Sequence, residues 1–206
     1  MCVLECVRTG RKIDLHAETK DGDTPDQLAK AKGHDEIVMT LKLHSYEVNW
    51  RFPIGQGSFG KVFKAVDVKT RSEEFALKEM NIAKKSETEK KIAEKEAEIL
   101  KSLSHDFILK HESHFTEGPS FFVMMELVSG GDLKDCLALV SNQGQQGLQE
   151  DHVVRIIAQS LLGLRFCHGN RIVHRDVKPD NIMLSGPLGP DQKVKLADFG
   201  LAQSTE

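Results

Sequence analysis

The segment IVHRDVKPDNIML, residues 172–184, decides the fold of this chain. It places Asp176, Lys178 and Asn181 in a D-x-K-x-x-N pattern. Pro179 is predicted to hold this stretch out of a helix, because proline lacks the backbone N–H that a helix interior needs. A carboxylate, a cation and an amide are therefore expected to lie close together on one short loop.

A further carboxylate follows this loop. Asp198 comes directly after the predicted strand KVKLA, and Gly186-Pro187 indicates the hairpin between loop and strand. Phosphoryl transfer uses a carboxylate that accepts a hydroxyl proton, a cation beside the migrating charge and oxygen ligands for Mg²⁺. The loop and Asp198 together contain these residue types, which makes phosphoryl transfer the first hypothesis for the chemistry.

Upstream of the loop, the pattern predicts a strand, a break and two helices. Residues 120–137, SFFVMMELVSGGDLKDCL, read as a strand and the start of a helix separated by Gly130-Gly131, which could link two lobes. The next helix is predicted within residues 148–170, and Gly169 is expected to cap its C-terminus. One side of that helix carries Val154, Ile157, Leu161, Leu164 and His168.

A glycine-rich stretch has several explanations. In FPIGQGSFGKVFKAVDV, residues 52–68, Gly55, Gly57 and Gly60 follow the G-x-G-x-x-G spacing. A dinucleotide-binding turn would need a helix immediately afterwards, but VFKAVDV is β-branched and aromatic. A nucleotide-binding P-loop would need a hydroxyl where Val62 stands. What remains is a hairpin between two strands, either a plain flexible one or one whose backbone N–H groups approach phosphate oxygens.

One lysine and one glutamate are predicted to pair. Lys78 ends the short apolar strand FALK, and residues 86–103 are predicted to form a helix. Glu96 lies within the apolar stripe of that helix, with Ile92, Ile99, Leu100 and Leu103. A carboxylate on a buried helix face is unfavourable unless it is paired, so Lys78 is the candidate partner. The alternative for Lys78 is a solvated position at a sheet edge.

These elements together resemble the eukaryotic protein kinase family. GQGSFGKV, FALK, the Glu96 helix, HRDVKPDN and DFG occur in the order typical of that family. The resemblance runs from Tyr46 to Glu206. It implies an α+β, two-lobed fold with ATP bound in the cleft, with the N-lobe at 46–127 and a partial C-lobe at 128–206.

The resemblance also implies a role for each matching residue. Asp176 would orient the substrate hydroxyl and accept its proton, and Lys178 would steady the γ-phosphate. Lys78, held by Glu96, would contact the α- and β-phosphates. The magnesium ligands would be Asn181 and Asp198. The residues that bind ATP would be Ile54, Gly55, Gln56, Gly57, Ser58, Phe59, Gly60, Lys61, Val62, Ala76, Lys78, Glu126, Val128 and Met183.

The resemblance implies a substrate class as well. Lys178 stands two residues after Asp176, as in serine/threonine kinases, whereas tyrosine kinases usually have an arginine-containing sequence there. The implied partners are therefore Mg²⁺ with ATP and a protein with serine or threonine acceptors. The motifs GGDL and HRDVKPDN are similar to those of both the NIMA-related and the calcium/calmodulin-dependent branches, and the sequence does not decide between them.

Residues 1–44 have a different pattern. Thr24-Pro25 opens a first predicted helix, and Gly33-His34 separates it from a second one around residues 37–41. This order resembles an ankyrin repeat, although Asp26 stands where that family usually has an apolar residue. An ankyrin-like segment would offer a surface for a protein partner. The alternative is a helical extension without that role.

Composition narrows the class of protein. The 206 residues carry a net charge of −3 and are 39% hydrophobic. This balance fits a globular protein and gives no basic surface for nucleic acid or an anionic membrane. No apolar run is long enough for a membrane span. The four cysteines form no C-x-x-C pair, so reduced thiols and a cytoplasmic location are expected, with the nucleus also open.

Both ends of the sequence are expected to be incomplete. One and a half ankyrin-like repeats cannot form a stable solenoid, and kinases continue beyond DFG with an activation segment and further helices. The expected consequences are exposure of Ile156, Ile157 and Leu161, and little or no peptide kinase activity of residues 1–206 alone. Two functions stay open: a protein serine/threonine kinase, or a nucleotide-binding or ankyrin-type scaffold without catalysis.

Overall fold

The structure is a computed structural model that describes residues 19–33, 45–57, 60–144 and 147–205. Its contacts divide the chain into two compact units, residues 1–83 with 114–124 and residues 84–113 with 125–206. Each unit has hydrophobic clusters of its own. The predicted site residues Ser58 and Phe59 lie outside the described residues.

The N-terminal segment contains one described helix, α1 (Pro25–Ala31). Thr24 is its N-cap, and the backbone N–H of Thr24 donates to Oε1 of Gln27 at 2.8 Å. The start predicted from Thr24-Pro25 is confirmed, because proline at the first helical position has no N–H to leave unpaired. The second helix, predicted around residues 37–41, lies outside the described residues.

Six strands form one sheet: β1 (Tyr46–Val48), β2 (Gly55–Gly57), β3 (Gly60–Asp67), β4 (Glu74–Asn81), β5 (His111–Glu117) and β6 (Ser120–Glu126). The order is β1-β3-β4-β6-β5, and β2 is paired with β3. β1, β2 and β4 each run antiparallel to β3. The residues after the glycines therefore form a strand, which excludes the helix that a dinucleotide-binding turn requires.

Successive side chains of β4 point to opposite faces of this sheet. Leu77 is fully buried on one face, in a cluster with Ala65, Phe115, Phe122 and Met124. Lys78 is the next residue and lies on the other face, opposite Val62 of β3. The buried face fixes the register, since a shift by one residue would turn Leu77 away from its cluster.

The second unit contains three longer helices: α2 (Glu87–Ser102), α3 (Leu133–Asn142) and α4 (Glu150–Gly169). Ser86 caps α2 by accepting the backbone N–H of Glu89, and Asp132 caps α3 by accepting that of Asp135. These caps satisfy N–H groups that have no partner within the helix. The helix predicted within residues 86–103 is confirmed. None of the described helices is long and apolar enough to cross a membrane.

The apolar stripe predicted on α2 is buried only towards its C-terminal end. Ile99, Leu100 and Leu103 lie in a buried cluster with Cys167, whereas Ile92 is 49% exposed. Glu96, between these two parts of the helix, is partly buried. The stripe therefore places the Glu96 carboxylate at the boundary of the cluster rather than inside it.

Four short strands complete the second unit: β7 (Ile172–Val173), β8 (Ile182–Leu184), β9 (Val194–Leu196) and β10 (Gln203–Ser204). β7 is antiparallel to β10, and β8 to β9, so the hairpin predicted at Gly186-Pro187 is confirmed. The prediction that Pro179 prevents a helix is wrong, because Pro179–Asn181 forms one 3-10 turn. Proline is tolerated at the first position of such a turn, where its missing N–H has no helical partner.

α4 buries a different side from the apolar one that the sequence suggests. Its buried residues include Ile156, Ser160, Gly163 and Cys167, and a Cβ added at Gly163 would lie 2.9 Å from the side chain of Leu196. Close packing of α4 on β9 therefore needs small residues at this contact. The expected exposure is confirmed for Ile157, which is 53% exposed, and for Leu161, which is 59% exposed. It is wrong for Ile156, which is only 5% exposed.

The C-terminal end of α4 also differs from the sequence prediction. Gly169 is the last helical residue, and Asn170 is the C-cap. Arg171 then takes the left-handed backbone conformation, with φ 59°. The prediction of Gly169 as the C-cap is therefore wrong, because the chain makes its left-handed turn two residues later, at a non-glycine residue.

Candidate active site

Asp176, Lys178 and Asn181 meet on the turn between β7 and β8. Nζ of Lys178 donates to Oδ2 of Asp176 at 2.7 Å, and Nδ2 of Asn181 donates to the same oxygen at 2.9 Å. Nδ2 of Asn181 also donates to the backbone carbonyl oxygen of Asp176 at 2.8 Å. The 3-10 turn brings Asn181 back to Asp176, and the predicted grouping of a carboxylate, a cation and an amide is confirmed.

These contacts keep both charged groups ionised. The hydrogen bond from Lys178, with a smaller one from Asn181, holds the pKa of Asp176 below its usual value, although desolvation opposes this shift. The same contact with Asp176 raises the pKa of Lys178. At neutral pH the Asp176 carboxylate is therefore a hydrogen-bond acceptor and a weak base, suited to orienting a hydroxyl group.

His174 connects this turn to the strand that leads to Asp198. Its side chain is fully buried, its Nδ1 accepts the backbone N–H of Asp176 at 3.3 Å, and its Nε2 lies 3.0 Å from the carbonyl oxygen of Ala197. Because Nδ1 is an acceptor, the proton belongs on Nε2, which donates to Ala197. A neutral imidazole thus holds the backbone of Asp176 against the residue that precedes Asp198.

Asp198 lies beside the turn and close to Glu96. The backbone N–H of Ala197 donates to the carbonyl oxygen of Asn181 at 2.9 Å, which fixes the chain just before Asp198. Oδ1 of Asp198 accepts the backbone N–H of Gly200 at 3.3 Å. A Cβ added at Gly200 would lie 3.2 Å from this oxygen and 3.4 Å from Oε2 of Glu96. The two carboxylates therefore flank Gly200.

The donor atoms of Asn181 and Asp198 suit a hard cation. Nδ2 of Asn181 faces Asp176, so the amide oxygen is directed away from that carboxylate. Carboxylate and amide oxygens are ligands that Mg²⁺ accepts, and this ion commonly completes its shell with water and substrate phosphate oxygens. The pair thus fits a magnesium ion that is held partly by a phosphate ligand.

Two non-glycine residues of this region have left-handed backbone conformations, Arg175 with φ 64° and Asp198 with φ 59°. Such conformations cost about 1–3 kcal/mol and persist where the surrounding contacts fix them. Nε of Arg175 donates to the carbonyl oxygen of Leu201, and one terminal nitrogen donates to Oε1 of Gln203, each at 2.6 Å. These bonds tie the segment after Asp198 to the turn that carries Asp176.

The glycine-rich residues and Lys78 lie in the first unit. β2 and β3 pair Gly55 with Val62, and Val62 in turn lies opposite Lys78 of β4. Gly60 has φ +137°, and a Cβ added there would overlap the carbonyl oxygen of Glu79. The structure therefore forms the glycine-rich hairpin that the sequence leaves as the remaining explanation, and it places Lys78 beside it in the same sheet.

The two units divide the predicted site residues between them. The described ones in the first unit are Ile54, Gly55, Gln56, Gly57, Gly60, Lys61, Val62, Ala76 and Lys78. Those in the second unit are Glu96, Glu126, Val128, Asp176, Lys178, Asn181, Met183 and Asp198. The pairing of Lys78 with Glu96 stays a prediction.

A glycine allows the chain after β6 to pack against β8. The backbone N–H of Gly130 donates to the carbonyl oxygen of Leu184 at 2.8 Å, and the N–H of Leu184 donates to that of Gly131 at 2.8 Å. A Cβ added at Gly130 would lie 2.6 Å from the carbonyl oxygen of Gly186 and closer still to that of Leu184. Only glycine fits this contact without displacing the β8–β9 hairpin.

Gly130→Ala is therefore expected to lower the free energy of unfolding by about 1–3 kcal/mol, because backbone atoms must move to admit the methyl group. Urea unfolding followed by circular dichroism measures the change. Gly186→Ala is the matched control, since a Cβ at Gly186 meets nothing within 4 Å. Equal unfolding midpoints for the two variants would contradict the close contact.

The stability of the second unit is expected to depend on pH through His174. Desolvation lowers the pKa of His174, although the hydrogen bond to Ala197 opposes the shift. A lowered pKa means that the unfolded chain binds more protons than the folded one in acid. The contribution of His174 to the free energy of unfolding is therefore complete above its unfolded pKa of about 6.5. It is lost as the pH falls from there towards the pKa of His174 in the folded protein.

The measurement is the free energy of unfolding between pH 7 and pH 5. The wild type and the exposed-residue control His168→Gln are expected to lose stability across this range. His174→Gln, although less stable throughout, is expected to show a weaker dependence because the titrating ring is absent. An identical pH dependence in all three proteins would show that His174 does not titrate on unfolding.

Two residues that organise the site are missing from the sequence-based predictions. His174 follows the apolar residues of β7, and a histidine at the end of a buried strand is a signal that could have been used. Lys195 forms an ion pair with Glu126 at 2.7 Å and its side chain is only 14% exposed. It alternates with buried Val194 and Leu196, a pattern typical of a solvent-facing lysine, so the sequence gives no signal for it.

Comparison with known proteins adds to this geometry. The family model described as the protein kinase domain matches residues 49–206. Serine/threonine-protein kinase 33 of Mus musculus is 35% identical over 155 residues, which cover 72% of this chain and 30% of that protein. Serine/threonine-protein kinase Nek1 of Mus musculus is 34% identical over 152 residues, 73% of this chain and 12% of that protein.

A further relative is serine/threonine-protein kinase Nek2 of Homo sapiens. It is 32% identical over 172 residues, which cover 80% of this chain and 37% of that protein. The chain thus spans less than two-fifths of the length of each of these three relatives. The matched region contains all the residues that form the turn at Asp176 and the segment at Asp198.

Proposed function

The chain belongs to the protein kinase family, and we propose that the protein transfers the γ-phosphate of Mg·ATP to serine or threonine residues of protein substrates. The observation that carries this proposal is the turn on which Oδ2 of Asp176 accepts hydrogen bonds from both Lys178 and Asn181. The backbone hydrogen bond from Ala197 to Asn181 fixes Asp198 next to this turn. Asp198 supplies the second carboxylate of the proposed phosphoryl-transfer site.

The turn is proposed to act on the acceptor hydroxyl. A substrate hydroxyl that donates to the Asp176 carboxylate is oriented for attack, and the carboxylate can take its proton as the new bond forms. Lys178 is proposed to move from Asp176 to the transferring phosphoryl group, where its positive charge offsets the negative charge of the phosphate oxygens. Its exposed ammonium on a flexible stem permits this movement.

Asn181 and Asp198 are proposed to hold Mg²⁺, which when bound would supply positive charge beside the phosphate groups. Lys78 is proposed to contact the α- and β-phosphates and to be oriented by Glu96. The backbone N–H groups of the glycine-rich hairpin are proposed to approach the phosphates, which the missing side chains of Gly55 and Gly57 allow. Ser58, Phe59 and the flanking Gln56, Gly60 and Lys61 belong to the same proposed group.

The adenine base is proposed to contact apolar side chains and linker backbone. The apolar residues are Ile54, Val62, Ala76 and Met183, and the linker residues are Glu126 and Val128. Ala76 is buried, and Val62 lies in the same sheet opposite Lys78. The base and the phosphates would thus use neighbouring positions of β3 and β4.

Serine and threonine are proposed as acceptors because of Lys178 and because the reported relatives are named serine/threonine kinases. The proposed domains are a partial ankyrin-like segment at 1–44 and a kinase domain at 46–206. The first is supported by the Thr24-Pro25 start of α1. A cytoplasmic location is proposed from the free thiols of Cys136 and Cys167.

The test is phosphate transfer by the full-length protein from γ-labelled ATP to three peptides that differ only in the acceptor, which is serine, threonine or tyrosine. Label is expected on the serine and threonine peptides and not on the tyrosine peptide. Preferential labelling of tyrosine would contradict the acceptor assignment. Binding of Mg·ATP without transfer to any peptide would favour the alternative, a nucleotide-binding scaffold without catalysis.

A further inference from the structure

The side chain of Glu126 makes two contacts at the end of β6. Oε1 of Glu126 accepts from Nζ of Lys195 at 2.7 Å and from the backbone N–H of Lys110 at 2.6 Å. The side chains of Lys195 and Glu126 are 14% and 27% exposed. This is a largely buried, charge-assisted contact, unlike the exposed ion pairs elsewhere in the second unit such as Lys134 with Asp180.

The Lys195 side chain connects two functional segments. Lys195 is the central residue of β9 and lies opposite Met183 of β8, and Asp198 follows it by three residues. Glu126 is the last residue of β6, where the linker to α3 begins. The ion pair therefore joins the start of that linker to the hairpin that carries Met183 and leads to Asp198.

The same hairpin also holds the other end of the linker. Gly130 and Gly131 exchange backbone hydrogen bonds with Leu184, and the hydroxyl of Ser129 donates to the carbonyl oxygen of Ser185 at 3.1 Å. Residues 127 and 128 therefore lie between two segments that contact the same β8–β9 hairpin, Glu126 on one side and residues 129–131 on the other. At residues 129–131 the anchor consists of backbone bonds and one hydroxyl, whereas at Glu126 it includes the ion pair with Lys195.

We propose that Lys195 is a positioning residue for the nucleotide base: it holds Glu126 and thereby sets the linker backbone at Glu126 and Val128 against the adenine. This inference rests on the proposed function, in which these two residues contact the base. Lys195 itself touches no substrate in the proposal. It acts through Glu126.

Loss of Lys195 is expected to move Glu126, because an unpaired charge on a side chain that is only 27% exposed is unfavourable. Without the lysine ammonium, the Glu126 carboxylate loses its charged partner and keeps the N–H of Lys110. A partly buried carboxylate that has lost its cation gains by turning towards water. Such a movement is expected to shift the backbone of Glu126, from which the linker continues. Lys178, which is proposed above to contact the phosphate, pairs with Asp176, so the effect of losing Lys195 is expected to be confined to the base.

Lys195→Met tests this inference, because methionine keeps the length of the side chain and removes its charge. The measurement is the affinity of the chain for Mg·ATP and for Mg·tripolyphosphate, which lacks the base, by calorimetry. The affinity for ATP is expected to fall about tenfold, the loss that one charge-assisted hydrogen bond represents, with tripolyphosphate affinity unchanged. The ratio of the two affinities does not depend on the folded fraction, so a purely structural loss would leave it constant.

Three further variants complete the experiment. Lys195→Arg keeps the charge and is expected to restore the wild-type ratio. Glu126→Gln keeps the shape and removes the other charge, and it is expected to change the ratio in the same direction as Lys195→Met, which preserves the test if the methionine variant fails to fold. Lys193→Met is the matched control, since Lys193 is an exposed lysine of the same hairpin.

The outcomes separate the inference from the function on which it rests. A wild-type protein that binds ATP more tightly than tripolyphosphate, with the same ratio in Lys195→Met and Glu126→Gln, would overturn the role of Lys195 alone. A wild-type protein with no preference for ATP over tripolyphosphate would overturn the proposed base contacts, and the inference with them. A lower ratio in both variants and a normal ratio in Lys195→Arg supports the inference.

Discussion

Asp176→Asn is expected to slow phosphate transfer by about a hundred- to ten-thousandfold, the contribution of a positioned proton acceptor. The amide cannot accept the proton of the acceptor hydroxyl. An asparagine oxygen can still accept the hydrogen bonds from Lys178 and Asn181 that the carboxylate accepts in the structure. The turn should therefore stay folded, and the affinity for Mg·ATP is expected to remain within about a factor of a few.

The measurement pairs the rate of peptide phosphorylation by the full-length protein with calorimetric titration of Mg·ATP for the same variant. Asp191→Asn serves as the control, because Asp191 is an exposed carboxylate in the β8–β9 hairpin with no proposed role. It should transfer phosphate at the wild-type rate. An Asp176→Asn protein that retains full transfer would remove Asp176 from the mechanism.

Asp198→Asn is expected to abolish the Mg²⁺ dependence of ATP binding. Removing the negative charge weakens a hard-cation site, with an expected loss of at least about tenfold in apparent magnesium affinity. The backbone should tolerate the change, because asparagine adopts the left-handed conformation as readily as aspartate does. Its side-chain oxygen can also keep the contact with the N–H of Gly200.

The experiment titrates Mg²⁺ at a fixed concentration of ATP and follows nucleotide binding. Wild-type protein should bind ATP more tightly as magnesium rises, and Asp198→Asn should show little response. Asn181→Ala should weaken the response as well, because it removes the second proposed ligand. A magnesium response unchanged in both variants would exclude this pair as the cation site.

Much of the local structure follows from sequence patterns. The β-branched and aromatic residues after the glycines predict β3, the apolar stripe within residues 86–103 predicts α2, and the Gly130-Gly131 break separates β6 from α3. These signals are local, since each depends on residues within a few positions of one another. The grouping of Asp176 with Lys178 and Asn181 is local in the same sense.

Sequence patterns predict tertiary packing less well. The apolar residues on one side of α4 suggest a buried face, yet Val154, Ile157 and Leu161 are exposed and Ser160 and Gly163 are buried. The choice between these faces depends on how closely α4 approaches β9, which no pattern within the helix specifies. The ion pair of Lys195 could not be predicted from the sequence either, because its partner Glu126 is distant along the chain.

Magnesium-dependent binding of ATP through Lys78 is tested most directly by calorimetric titration of the chain with ATP, in the presence and absence of Mg²⁺, for the wild type, Lys78→Met and Lys69→Met. Lys69 is an exposed lysine in the turn after β3 and controls for the loss of a positive charge. We expect magnesium-dependent binding that is lost in Lys78→Met and kept in Lys69→Met. No binding by the wild type, or equal binding by all three proteins, would contradict it.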